Sequence, residues 1–205
     1  DGFVAGSAPA SIEPAFDWAA SASVVEAAQP QAYPSKDSLE VVFHRDGKMD
    51  DGRYNNNGWL QELPDPITKM TWENVVLLSG KTAKDLGLVI LDREDNNLQV
   101  PVVKISVGDR QIEGPAWIQP GMADNVVALA LGYGRTKAGR VGTGTGYNAY
   151  ALRSSQSPWR LTGGRVTDTG RRHQLATTQN HWAMEGRPII REANLQQYRK
   201  HPHFA

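Results

Sequence analysis

From Leu39 onward the chain is broken into short apolar segments by turn residues about every ten positions, a spacing that long helices cannot satisfy. Leu39–Arg45 (LEVVFHR), Leu88–Asp92, Gln99–Val107, Gln111–Gln119 and Asn125–Leu131 all read as strands. Turn signals lie between them at Asp95-Asn96-Asn97, Gly108-Asp109 and Pro120-Gly121. Val127, Leu129 and Leu131 recur at period two, the mark of a strand with one buried face. Asn148–Arg153 and the residues after Trp159 are expected to add further strands. Many short strands at this spacing favour a closed barrel over a parallel, doubly wound sheet.

The flanks read differently. Residues 1–38 are rich in Ala, Ser, Pro and Gln and read as a linker or extended arm, with a short helix over Ala19–Ala28 that Pro30 and Pro34 would end. Ser79–Gly87 reads as a capped two-turn helix closed by glycine. Residues 154–205 read as a C-terminal extension leading toward a downstream domain, its last part, Ile189–Ala205, extended or a short helix. The chain opens at Asp1 rather than Met and so reads as a processed or excised piece.

Several chemistries are excluded by composition. There is no cysteine, hence no thiolate nucleophile, disulfide or Cys-ligated cluster within this chain. The 22 basic residues match the 22 acidic ones, so no global field draws nucleic acid. No apolar run approaches the about 20 residues that span a bilayer.

The apparent motifs are incomplete. Gly80-Lys81-Thr82 has the end of a phosphate-binding loop, but Val75 stands where its first glycine is required. Gly142, Gly144 and Gly146 alternate as in a dinucleotide fingerprint, yet the residues that follow, Tyr147–Leu152, alternate like a strand. His201-Pro202-His203 is too sparse for a metal centre, and no residues announce a catalytic group. The run Gly142–Tyr147 suits close backbone approach, and a branched side chain at Gly144 is expected to crowd it. Trp59, beside three asparagines, suits stacking, and arginines at 153, 160, 165, 171 and 172 offer a basic face. These two features would serve an independent barrel module that binds an oligosaccharide or nucleic acid.

Two stretches, NNNGWLQELPDPITKMTWENVVLLSGKTAKDLGL and PAWIQPGMADNVVALALGYGRTKAGRVGTGTGYNAYALR, resemble the C-terminal molybdopterin-dinucleotide-binding domain of the dimethyl sulfoxide reductase superfamily. The resemblance spans about Leu39 to Arg153, and its most specific parts are Asn56–Pro64 and Ala130–Arg135. It is closest to the branch that includes the molybdopterin-like, iron–sulfur subunit of alternative complex III, a quinol:electron-acceptor oxidoreductase. The likeness implies a mainly-β double-psi β-barrel over 39–153, with one or two short helices and extended terminal segments.

In catalytic relatives such a barrel closes over a pterin guanine dinucleotide. By that likeness Asn56, Asn57, Trp59 and Glu62 would face the nucleotide end, Gly142, Gly144 and Tyr147 would lie beside it, and Arg135, Lys137 and Arg140 would meet a pyrophosphate or an acidic partner. Relatives carry a Gly-Asp turn where this chain has Leu88–Asn97. In the iron–sulfur branch the barrel is expected to be a cofactor-free scaffold, with no catalytic or metal-binding residue in this chain and its clusters in a downstream domain. Expected partners are that fused domain and other subunits of a membrane respiratory complex, at the periplasmic face of a bacterial inner membrane. The alternative implied is the molybdopterin-guanine-dinucleotide-binding domain of an active molybdenum oxidoreductase.

Overall fold

Alternation of apolar and polar residues becomes alternation of inside and outside. In the computed structural model, which describes residues 14–27, 33–89, 99–178, 186 and 190–204, six strands form a closed barrel. They are β1 (Leu39–His44), β2 (Val76–Leu78), β3 (Gln99–Val107), β4 (Arg110–Ile118), β5 (Val126–Ala130) and β6 (Arg160–Gln174). Leu39, Val41 and Phe43 of β1 point inward, as do Val76 and Leu78 of β2, Val103 and Ile105 of β3, and Val127 and Leu129 of β5. Removing this apolar surface from water is the main force that closes the ring.

The order around the ring is β1-β5-β2-β4-β3-β6. β1 pairs with β5 in parallel and β2 with β4 in parallel, while β2–β5, β3–β4, β3–β6 and β1–β6 are antiparallel. Exchanging β1 with β4, β2 with β5 and β3 with β6 reproduces every one of these pairings. The double-psi barrel is thus a three-strand unit, β1β2β3, used twice.

Helices are short. Among the described residues of the unit 34–205 these are α2 (Gly58–Glu62), α3 (Gly80–Asp85), α4 (Gly139–Gly142), a one-turn 3-10 helix over Ala149–Ala151, and α5 (Leu195–Lys200). Ser79 caps α3 as its sequence suggests, its hydroxyl accepting the Thr82 amide at 3.0 Å. The unit of residues 1–33 holds α1 (Trp18–Ala27), none of whose residues is buried.

The residues after Trp159 do supply a further strand: β6 closes the barrel, and without it β1 and β3 would each have an open edge. Two expectations need amendment. Asn148–Arg153 is a 3-10 turn rather than a strand, because the Asn148 side chain accepts the Tyr150 amide at 3.0 Å and Arg110 gathers the carbonyls of Leu152 and Arg153. Of the strand expected at Leu88–Asp92, Leu88 and Val89 are not in a strand and the remainder lies outside the described residues.

Candidate functional site

Two segments far apart in sequence, 50–62 and 132–147, meet through amide side chains. Asn55 is fully buried, and its Nδ2 donates to the Gly132 carbonyl at 2.9 Å. Gln61, also fully buried, donates from Nε2 to the Asn55 carbonyl at 2.8 Å. Both amides converge on Thr145 Oγ1, at 3.4 and 3.3 Å, and that hydroxyl donates to the Gly142 carbonyl at 3.1 Å. Asn56 Oδ1 accepts the amides of Val141 and Gly142 at 3.0 and 3.2 Å, serving α4, whose own N-cap residue Ala138 makes no side-chain cap. Asn57 Oδ1 accepts the amides of Trp59 and Leu60 and caps α2.

Backbone completes the clasp. The Gly134 amide donates to the Thr145 carbonyl at 2.7 Å and the Gly144 amide to the Arg135 carbonyl at 2.9 Å. Below it, Asn74 donates to the carbonyls of Ala130 and Tyr147 and accepts the Tyr147 amide. Asn55 Oδ1 and Gln61 Oε1 are buried with no hydrogen-bond partner. Asn55 Oδ1 packs against Gly142, where an added Cβ would lie only 2.1 Å away.

Of the residues singled out by sequence, Asn56, Asn57, Arg135, Gly142 and Gly144 come together in this clasp. Tyr147 stands apart from them in the core, its hydroxyl donating to the Val75 carbonyl at 3.0 Å, with burial holding the phenol well above its ordinary range. Trp59 projects outward, 89 % exposed, and Glu62 is exposed on the same helix. Lys137 and Arg140 are exposed. At Gly144 a Cβ would meet nothing within 4 Å, so crowding is not what requires glycine there. The requirement is its φ of +78°, which L-residues with a side chain adopt at a cost. Asn55, Gln61 and Asn74 are the organising side chains that sequence reasoning passed over. The signal was present: polar amides next to glycine-rich turns satisfy backbone groups as readily as ligands.

An open cleft of about 650 Å³ adjoins the clasp, lined by residues including Asp51, Arg53, Tyr133, Arg135 and Tyr150. Its charges are largely matched. Arg53 bonds Asp51 at 2.6 Å and Asp50 at 3.4 Å, and Arg45 bonds Asp50 at 2.9 Å. The hydrogen bonds from Arg53 hold the Asp51 carboxyl well below the usual carboxylate range. Arg135 Nη1 donates to the Gly52 carbonyl at 2.8 Å. Tyr133 is buried, which pushes its phenol up, and its hydroxyl donates to Asp46 at 3.4 Å. Nearby, Lys48 is 4 % exposed and donates to the Met70 carbonyl at 3.1 Å; burial lowers its ammonium, against the opposing pull of Asp46 and Asp65.

Four of the five arginines of the expected basic face are engaged, Arg160 lying 4.0 Å from Glu40. Arg153 is stacked between the rings of Tyr150 and Trp159, Arg171 pairs with Glu113, and Arg172 lies 3.3 Å from Asp168.

No family model and no curated protein matches the chain. Among solved structures it is similar to acetylene hydratase from Pelobacter acetylenicus, with a TM-score of 0.43 and 15% identity. That likeness covers 63% of this chain and 18% of the other, so the chain spans less than a fifth of its length.

Proposed function

We propose that this chain is a structural barrel domain of an oxidoreductase subunit, one that holds neighbouring electron-transfer parts in place and has no chemistry of its own. The carrying observation is that the side chains best placed to grip a pterin dinucleotide already serve the protein's own backbone. Asn56 and Asn57 each accept two amides of the clasp, Arg135 is bonded to a carbonyl, and the Tyr147 hydroxyl is sealed in the core. A nucleotide gripped by these side chains would have to displace contacts that cap α2 and hold the α4 turn, and losing one such helix cap costs about 0.5–2 kcal/mol. The fit to the pterin group is therefore poor. The sequence resemblance supplies the wider setting: a subunit of a peripheral, periplasmic-side respiratory complex of the alternative complex III type, supporting a fused iron–sulfur domain.

One observation favours the second reading, a dinucleotide-binding domain of an active molybdenum oxidoreductase. The indole of Trp59 and the carboxylate of Glu62 make no hydrogen bond or ion pair among the described residues, and both stand open to a ligand. Denaturing the intact parent protein, then measuring oxidised-pterin fluorescence and molybdenum, separates the two readings. The scaffold reading expects neither signal above background. A one-to-one content of both would overturn it.

A further inference from the structure

The described residues near the C-terminus carry exposed apolar side chains among basic ones. Ile190 is 74 % exposed, Leu195 62 %, Tyr198 52 % and Phe204 39 %. Three cations, Arg191, Arg199 and Lys200, stand against one anion, Glu192, and His201 and His203 follow. The helix α5 is ordered locally rather than by packing. Asn194 accepts the Gln197 amide at 2.9 Å, Gln197 returns a bond to the Asn194 amide at 2.9 Å, and Arg199 and Lys200 fall in the last turn, where cations suit the helix dipole. Helical spacing puts Leu195, Tyr198 and Arg199 on one side and Gln196, Gln197 and Lys200 on the other. Phe204 folds back edge-on against Tyr198, ring centres 6.5 Å apart, so the aromatic surface is continuous.

We propose that residues 190–204 dock this protein onto an anionic lipid surface. An aliphatic and aromatic face interleaved with cations suits the boundary between headgroups and acyl chains, where Arg and Lys reach phosphates while their stems and the neighbouring rings sink below. The exposed Ile190 and Leu195 gain nothing from a nucleic-acid backbone. The chemistry separates this segment from α1, which is also exposed and apolar, through Trp18, Val24 and Val25, but lies in a stretch where residues 1–35 include no Lys, Arg or His and four acids, Asp1, Glu13, Asp17 and Glu26. An anionic surface would repel that segment and attract the other. The inference extends the membrane-associated reading above without resting on it, since vesicle binding and cofactor content are independent measurements.

Co-sedimentation of the full chain with vesicles tests it. One set is phosphatidylcholine alone; the other mixes two parts phosphatidylcholine with one part phosphatidylglycerol. Binding should be about tenfold or more tighter to the anionic set and should weaken as salt rises. Arg199→Glu with Lys200→Glu should abolish it, and Leu195→Ser with Tyr198→Ser should weaken it about tenfold, with the thermal midpoint of the barrel unchanged in both. Equal binding to both vesicle types, no binding, or full binding by the Leu195/Tyr198 variant would each overturn the proposal. So would polyglutamate binding as tight as that to anionic vesicles, which would mark a charge-only site for acidic protein.

Discussion

At the residue scale two glycines in one loop are needed for opposite reasons. Gly142 is short of space: a methyl group there would lie 2.1 Å from Asn55 Oδ1 and 2.4 Å from the Asn55 carbonyl. Gly144 has space and lacks conformational choice, with φ at +78°. Gly142→Ala should therefore destabilise by about 2–3 kcal/mol through forced movement of a buried amide. Gly144→Val should cost about 1–2 kcal/mol through backbone strain alone. Urea unfolding of the two variants checks the order, and a larger loss at Gly144 would reverse this account. Lys48 gives a pH prediction. Its folded pKa is lowered, so between that value and the unfolded one, near 10.5, the unfolded chain binds more protons. The Lys48 contribution to stability should then rise with pH through this window, against the opposite slope from the buried Tyr133 and Tyr147 phenols, whose raised values make the unfolded chain lose those protons first. The stability of the parent relative to Lys48→Met should therefore climb as pH rises toward 10.5, which thermal unfolding of both across alkaline pH would reveal; a constant difference would count against it. The asparagine run stood out in the sequence, but which asparagine faces inward did not. Asn55, Asn56 and Asn57 differ only in the carbonyls and amides that tertiary folding places beside them.

At the element scale α3 shows how much local sequence can specify. Ser79 accepts the Thr82 amide, donates to Asp124 at 2.6 Å, and Thr82 in turn accepts the Asn125 amide at 2.8 Å. One cap thus fastens the helix and the entry to β5. Ser79→Ala should cost about 1–2 kcal/mol, more than an isolated cap at the low end of its range, and a chemical denaturation midpoint would report it. Strands β1, β3, β4 and β5 were readable because each has one apolar face at period two. β6 was visible only in outline: of its fifteen residues only Gly164 and Val166 are buried, so the alternation that announces a strand is nearly absent. Its place comes from hydrogen bonds to β1 and β3, partners that sequence cannot name.

For the whole molecule, closure is the property on which the barrel depends. A chain ending at Arg153 lacks β6 and exposes the edges of β1 and β3, and open edges invite association. Such a truncation should lose cooperative unfolding and sediment as aggregates, whereas a chain starting at Pro34 should keep a single thermal transition. The pairing pattern carries a further consequence. A ring that maps onto itself when its first three strands exchange places with its last three need not be one covalent piece. Cutting at the Gly108–Asp109 hairpin tip, where Gly108 takes a φ of +59° and no core side chain intervenes, would yield two half-rings, each with the other's missing staves. Mixed in equal amounts, the halves should recover the circular dichroism of the intact chain while either alone stays unfolded, as would befit a protein descended from two copies of a peptide half its size.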